Sequence, residues 1–474
     1  MTIDVAVVGA GPAGLAAATR CARLGLATSL FDEQPAPGGQ IYRGITEAPT
    51  SRVTLLGADY ARGTALVDAF RATTAVHVRE ASVWLLRAMP DGYVELGVST
   101  RGGGGARTHM VRARAAILAT GAQERPFPIP GWTLPGVMTV GGAQILLKTS
   151  GLVPQGRVIV AGSGPLLWLA AAQLIAAGAA ITALVETVPR GRLREALRHA
   201  PAFMTSPYFR KGLDLARRVR RQTRVVEFVG GLAAVGSERV TALRYTHNGE
   251  TCEIGADHLL LHQGVVPSID LASAAGCALR WNGDQAAFEP VVDAWGGTSV
   301  PSLYVTGDGA GIAGAEAAAA RGTITALAVA NALGRIDHRD RDRAAGPLRR
   351  VLDDALRGRR FFDALYRPPE ALRVPSGETL ACRCEEVTAQ AVVDAARDGC
   401  MGPNQAKAWL RCGMGPCQGR YCALTVTELI AQARGTTPAV VGLYRHRFPV
   451  KPLTLGELAS LPTNAAADAA VVRE

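Results

Sequence analysis

Residues 3–14 read Ile-Asp-Val-Ala-Val-Val-Gly-Ala-Gly-Pro-Ala-Gly, an apolar strand that turns on glycine into an alanine-rich helix. This stretch constrains the fold more than any other. Gly9 permits the tight turn, Gly11 lets the backbone approach a pyrophosphate, and Gly14 lets the helix lie close on the strand, with its positive dipole end toward the phosphates. A second apolar run, Ala27 to Phe31, ends on Asp32. That is about 20 residues on, where a carboxylate takes the hydroxyl pair of an adenosine ribose. An ordinary βαβ unit with a glycine turn is the plainer alternative. The spacing favours a dinucleotide cradle whose binding residues are Gly9, Gly11, Pro12, Ala13, Gly14, Asp32 and Glu33.

The chain has 474 residues, which predicts roughly three domains, each able to bury its own core. Its formal net charge of +11 comes mainly from arginines clustered at 190–224 and 335–360. Such clusters suit nucleic acid, an acidic protein partner, or an arginine-rich proteome. Nucleic acid is not expected, because no aromatic residues are interleaved as stacking platforms. Of nine cysteines, six fall between Cys382 and Cys422. Crowding of that kind in a large chain argues for a metal site in a reducing compartment rather than a disulfide framework. Met1 leads directly into a strand without a basic and apolar leader, so a cytoplasmic location is expected. Residues 158–185 carry no charge and are long enough to raise the question of a membrane span. Their strand-turn-helix-strand rhythm instead predicts a second buried βαβ unit and no transmembrane segment.

In chain order, Gly38-Gly39-Gln40 is a glycine-paired turn able to lie flat against an aromatic cofactor, and Gly102 to Gly105 is a hairpin or loop tip. A small apolar strand then ends in Ala119-Thr120-Gly121, with Ala122-Gln123-Glu124-Arg125-Pro126 behind it. Together with the first cradle, these features resemble the two-dinucleotide-domain flavoprotein oxidoreductases, the group of glutathione and thioredoxin reductase. The resemblance implies an α/β fold with two Rossmann-like domains, the second inserted in the first. It also implies FAD in the first cradle and NAD(P)H in the second. By the same resemblance Gly39, Gln40, Ala119, Thr120, Gly121, Gly307 and Asp308 join the FAD site, and a helix follows from Ala310 to Ala330. Gly162, Gly164 and Glu186 form the second cradle. Leu167 stands there where a third glycine is wanted, which leaves open whether that site works or is vestigial. His262, at the end of a strand, reads as a structural group rather than an acid-base residue. No cysteine lies between Cys21 and Cys252, so the dithiol relay of the disulfide reductases is not expected. Cys21, Cys252 and Cys277 read as small packed residues.

The late cysteines begin with Cys382-Arg383-Cys384 and end with Arg411-Cys412-Gly413-Met414-Gly415-Pro416-Cys417-Gln418-Gly419-Arg420-Tyr421-Cys422. Between them lie one helix stopping at Gly399 and a second capped by Asn404. Thiolates at such spacing suit zinc or an iron-sulfur cluster. The pattern resembles the bacterioferritin-associated-ferredoxin-like domain, which implies a 2Fe-2S cluster on Cys382, Cys384, Cys417 and Cys422. Cys412 is the reserve ligand and Cys400 packs. The expected domains are therefore 1–150 with 264–335 (FAD), 151–263 (NAD(P)-binding-like), a connector at 336–375, and a small, mostly helical 2Fe-2S domain with its tail at 376–474.

This combination, with Gly-Gly-Gln-Ile-Tyr-Arg and Cys-Gln-Gly-Arg, resembles the alpha (A) subunits of opine oxidases, D-hydroxyproline and dye-linked proline dehydrogenases, and hydrogen cyanide synthase. The resemblance implies an FAD- and 2Fe-2S-containing electron-transfer subunit of a dehydrogenase acting on amino acids, secondary amines or opines. Its partners would be a beta subunit of the D-amino-acid-oxidase kind and, often, a small ferredoxin-like subunit, with any membrane association peripheral and through the complex. No catalytic side chain is required of this chain. A stand-alone NAD(P)H-dependent reductase is the alternative, and a non-enzymatic redox sensor a third reading.

Overall fold

The computed structural model describes residues 2–101 and 107–461, so the proposed loop tip at Gly102 to Gly105 and the end of the tail lie outside the described residues. The first sheet has seven strands. Thr2–Val8 lies parallel between Thr28–Phe31 and Arg107–Leu118, with Val5 opposite Thr28 on one side and Ala115 on the other. Val76–Val78 extends the parallel part at one edge, and Leu303–Val305 pairs with the carboxyl half of Arg107–Leu118. Its amino half turns to an antiparallel meander with Val94–Thr100 and Ala81–Ala88. Val5, Ala6 and Val7 are fully buried because helices cover the parallel part of this sheet on one face and the meander folds over the other.

A second, wholly parallel sheet takes the order Arg224–Val226, Ile181–Glu186, Val158–Ser163, His258–Gln263, Val137–Thr139. It includes the uncharged run, buried as expected for a parallel sheet and not as a span. Among the described residues no helix is long and apolar enough to cross a membrane. The edge strand Val137–Thr139 and its helix Val140–Ser150 belong to this second sheet, although the sequence places them before its boundary at 150. A three-stranded meander, Gly230–Gly236, Val240–His247 and Glu250–Gly255, packs beside it. The two passages between the units run side by side as an antiparallel pair, with Val265 opposite Glu124 and Pro267 opposite Ala122.

The expected helix at Ala310 to Ala330 starts later, at Ala315–Ala332. Gly307–Ala310 is a short 3-10 turn, and Asp308 Oδ1 accepts from the Ala313 and Gly314 amides at 2.8 and 3.0 Å, which holds an open loop before the helix. This helix crosses Pro12–Arg23 at very close range: a Cβ on Gly322 would lie 2.1 Å from the Ala13 carbonyl oxygen.

Beyond the connector helices, a compact unit holds the short pair Leu380–Cys382 and Val387–Thr388 and the helices Ala389–Arg397, Pro403–Leu410 and Ala423–Ala433. Asn404 is not the cap of the second helix. Gly402 takes that position, and Asn404 Oδ1 accepts from the Arg445 amide at 2.9 Å, fixing the chain as it leaves the unit. The tail then returns to the first sheet. The Val450 amide donates to the Trp84 carbonyl at 3.0 Å, and Glu457, 2% exposed, accepts from Ser99 Oγ at 2.5 Å and from the Thr454 amide at 2.7 Å. Thr454 and Glu457 complete a capping box on Leu455–Ala459.

Two outcomes follow from this packing. Gly322→Ala should cost about 3 kcal/mol or more, because backbone and not a flexible side chain meets the new methyl, and thermal unfolding of the purified chain reads it directly. The Ser99 and Thr454 hydrogen bonds hold the Glu457 carboxyl below its ordinary value of 4.5. Its contribution is thus complete above that value and lost as pH falls through the depressed one. Hydrogen exchange should find the 450–461 amides protected at pH 6 and opening at strongly acidic pH, with Glu457→Ala opening at both.

Candidate functional site

A crevice of about 1790 Å³ runs along the carboxyl ends of both parallel sheets. Gly9, Gly11, Pro12 and Ala13 form one wall, and Asp32, Glu33, Gly39 and Gln40 form the next. Ala119, Thr120, Gly121 and Asp308 close the far side, and Glu186 lines the portion above the second sheet. Gly14 and Gly307 act from behind. A Cβ on Gly14 would fall 1.8 Å from the Gly9 oxygen and one on Gly307 2.6 Å from the Ala13 methyl. Both are therefore required for the cradle to close up rather than for contact with a ligand.

The helix Pro12–Arg23 opens on this crevice with no side-chain cap at Gly11, so its first-turn amides and dipole face the cavity. That end is an anion site. Asp32 Oδ2 accepts from the Ala10 amide at 2.5 Å and Oδ1 from the Gln34 amide at 2.7 Å. Burial pushes the Asp32 carboxyl above its ordinary value, with those two amides acting against the shift. Gly39 sits against the cradle with φ +58, where a Cβ would lie 2.7 Å from Gly11 Cα. An uncapped helix start, a carboxylate at the second strand end and a glycine-lined wall fit the pyrophosphate and ribose of FAD.

Sequence reasoning missed Lys148. It is 4% exposed, lines the crevice, and donates from Nζ to the Gln40 carbonyl and to Gln144 Oε1, each at 3.1 Å. Burial lowers its ammonium to about 7. Gln144 Nε2 in turn donates to Gln173 Oε1 at 2.7 Å, so the glycine-paired turn of the first unit is tied to two helices of the second. No local signal marks Lys148, a lone cation within a helix.

The second cradle repeats the first in backbone but not in chemistry. A Cβ on Gly162 would lie 1.7 Å from the His262 oxygen, as one on Gly9 would lie 2.5 Å from the Ala119 oxygen. Neither Gly162 nor Gly164 lines the crevice; Gly164 sits against the His262 imidazole. Leu167 is fully buried in the third-glycine position. Glu186, expected to meet a ribose, lines the crevice and accepts from the Trp168 indole on Oε1 at 3.0 Å, and burial pushes its carboxyl up to about 7. His262 Nδ1 lies 2.6 Å from Glu124 Oε1, while Glu124 Oε2 accepts from the Gly141 amide at 2.9 Å. His262 is 2% exposed and does not line the crevice, in keeping with a structural role.

In the late unit the sulfurs of Cys382, Cys412 and Cys422 lie within 4.8 Å of one another, all buried. Hydrogen bonds from the Cys412 and Cys422 thiols hold Cys382 far below the ordinary thiol value, and the same bonds push those two thiols up. Cys384 and Cys417 contact each other beside this trio. The reserve position Cys412 thus lies in the same sulfur trio as Cys382 and Cys422. The loop wraps tightly: a Cβ on Gly415 would lie 2.2 Å from Cys384 Cβ, and the Tyr444 ring fills the space over Gly413 and Gly419. Cys400 packs, donating to the Gly402 carbonyl at 3.3 Å. An all-thiol set of this density fits a soft-metal or iron-sulfur centre.

The unit is seated firmly. Gln123 Nε2 donates to the Arg420 carbonyl at 3.0 Å, Trp132 Nε1 donates to the Leu380 carbonyl at 3.0 Å, and Arg373 pairs with the buried Glu428. Arg420 and Tyr421, between Cys417 and Cys422, form part of the crevice wall.

Comparison with known proteins agrees with this geometry. The pyridine nucleotide-disulphide oxidoreductase family matches residues 3–328, and the sarcosine oxidase A3 domain matches residues 377–461. The opine oxidase A subunit of Rhizobium meliloti is 47% identical over 471 residues, 99% of this chain and 89% of that one. Hydrogen cyanide synthase subunit HcnB of Pseudomonas aeruginosa is 31% identical over 98% of this chain and all of that protein. The crystal structure of L-proline dehydrogenase from P. horikoshii shares the fold at a TM-score of 0.69 and 20% identity, covering 97% of this chain and 79% of that one. The chain therefore belongs to the pyridine nucleotide-disulphide oxidoreductase family, alongside the opine oxidase A subunits, and is an FAD-dependent oxidoreductase.

Proposed function

We propose that this chain is the FAD- and 2Fe-2S-carrying electron-transfer subunit of a heteromeric dehydrogenase or oxidase for amino acids, secondary amines or opines. In this reading a partner subunit of the D-amino-acid-oxidase kind oxidises the C–N bond, and a small ferredoxin-like subunit can complete the assembly. The observation that carries the proposal is the wall shared by the two candidate centres. The loop between Cys417 and Cys422 lines the crevice of the first cradle and is hydrogen-bonded to it through Gln123. The relatives at 47% and 31% identity support the reading too, since both are subunits by name.

When bound, FAD would accept an electron pair and release it singly, while a 2Fe-2S cluster moves one electron at a time. The residues of this chain bind and position. The open start of Pro12–Arg23 would neutralise the pyrophosphate, Asp32 would meet the ribose, and Lys148 holds the Gln40 backbone in place against the cavity. Cys382, Cys384, Cys417 and Cys422 are the proposed cluster ligands. Arg383, Arg411 and Arg420 would balance thiolate charge from outside the ligand set. No side chain of this chain is assigned a proton-transfer step, since C–N oxidation is placed in the partner.

Cys417→Ser should abolish the cluster's visible absorption and leave FAD bound; unchanged iron content would sink the ligand assignment. Of the two neighbours, Cys422→Ser should lose iron and Cys412→Ser keep it. The reverse would make Cys412 the fourth ligand. NADH added anaerobically to the purified chain should leave the flavin oxidised. Rapid bleaching would favour the stand-alone reductase instead.

A further inference from the structure

The crevice is larger than one cofactor needs: about 1790 Å³ against the roughly 300–1,000 Å³ of an ordinary ligand pocket. Its second half lies above the second cradle and differs in character from the first. Leu166 and Leu169 form its floor, Phe209 and Leu213 one side, and Phe362 and Leu365 of the connector the other. The aromatic side chains form one packed cluster: Phe203 stacks on Phe361 at 4.1 Å and meets Phe209 at 5.7 Å and Phe362 at 5.1 Å edge-on. Glu186, Tyr208, Lys211, Arg220, Glu227 and Arg359 supply charged and polar groups around it.

The same half opens to solvent through an apolar mouth. Leu193, Leu213 and Val351 line it and are each more than 40% exposed, and Leu197 and Met204 on the adjoining helices are more exposed still. The helices that carry this mouth, Arg190–Leu197, Tyr208–Gln222 and His338–Leu356, belong to the two arginine clusters of the sequence, which the fold brings together here. Exposed apolar side chains set among cations suit a ligand with an apolar tail arriving from an anionic lipid surface.

We propose that this chamber is a quinone site: the planar ring packs against the cavity face of the aromatic cluster, in the same cavity as the FAD crevice, and the tail leaves by the Leu193–Leu213–Val351 mouth. A nicotinamide dinucleotide fits poorly, because Leu167 fills the third-glycine position and neither Gly162 nor Gly164 lines the cavity. A lipid or an apolar peptide would use the walls but not their continuity with the flavin crevice. A reduced flavin held by the first cradle would supply two electrons and two protons, so that both quinone carbonyls become C–OH and the flavin returns to its oxidised form. This inference rests on FAD in the first cradle and names the acceptor for its electrons.

Gly212 provides the test, because it lines the chamber, lies within a helix, and has nothing within 4 Å of the point where a Cβ would stand. Gly212→Trp should fill the chamber without strain, and Gly191→Trp, exposed and outside the lining, is the control. With the full-length chain, equilibrium dialysis should find one decylubiquinone bound per chain, undisplaced by excess NADH. Gly212→Trp should weaken it at least tenfold, while Gly191→Trp, FAD content, iron content and melting temperature stay at wild-type values. Equal binding by Gly212→Trp, absence of binding in wild type, or displacement by NADH would each overturn the quinone site. Loss of FAD or iron from the wild-type preparation would instead count against the electron-transfer reading, since quinone binding is measured separately.

Discussion

The structure depends on backbone approaching backbone where no side chain fits. Gly9 meets the strand ending at Ala119, Gly14 folds back on Gly9, and Gly322 brings a second helix onto Ala13. Together they draw two helices and two strands to one point, so that the start of Pro12–Arg23 faces open space rather than protein. A β-carbon at any of these positions would prise the layers apart and carry the helix dipole away from the crevice. Dispersion and apolar burial hold the surrounding core, but the glycines decide where its opening lies.

Around that point the remaining parts are clasped by few, specific contacts. Lys148 bridges the units through a backbone carbonyl and an amide chain, with no carboxylate paired to it among the described residues. The cysteine unit is pinned by Gln123, Trp132 and the buried pair of Arg373 with Glu428. A buried pair of that kind adds specificity of seating more than stability, since desolvation offsets most of its attraction. The outcome is a cysteine loop that forms part of the crevice wall.

What the sequence made legible was local in origin. The first cradle, Asp32, the Ala119-Thr120-Gly121 segment and both βαβ units are written in contiguous residues whose periodicity and glycines act within one supersecondary unit. Less legible were features made by distant residues. Glu186 stands at the expected strand end, but its hydrogen bond from Trp168 is made only by the packed helix. Asn404 carried the signature of a cap, but Arg445 from the returning tail claimed it. The helix after Asp308 began five residues late because that carboxylate holds the intervening loop by two amides. Cys412 and Cys422 share a spacing to Cys417, and only the folded loop brings each to Cys382. The strap made by Thr454 and Glu457 has no meaning until Ser99 is beside it.

The paired passages between the two units carry a mechanical consequence. The strands at Ala122–Glu124 and Val265–Pro267 form a ribbon rather than two independent threads, and Glu124 is locked at once to His262 and to the Gly141 amide. Swivelling the inserted unit about this ribbon would have to break both carboxylate contacts in one place. The orientation of one parallel sheet to the other is thus gathered at a single carboxylate, where one substitution would release it.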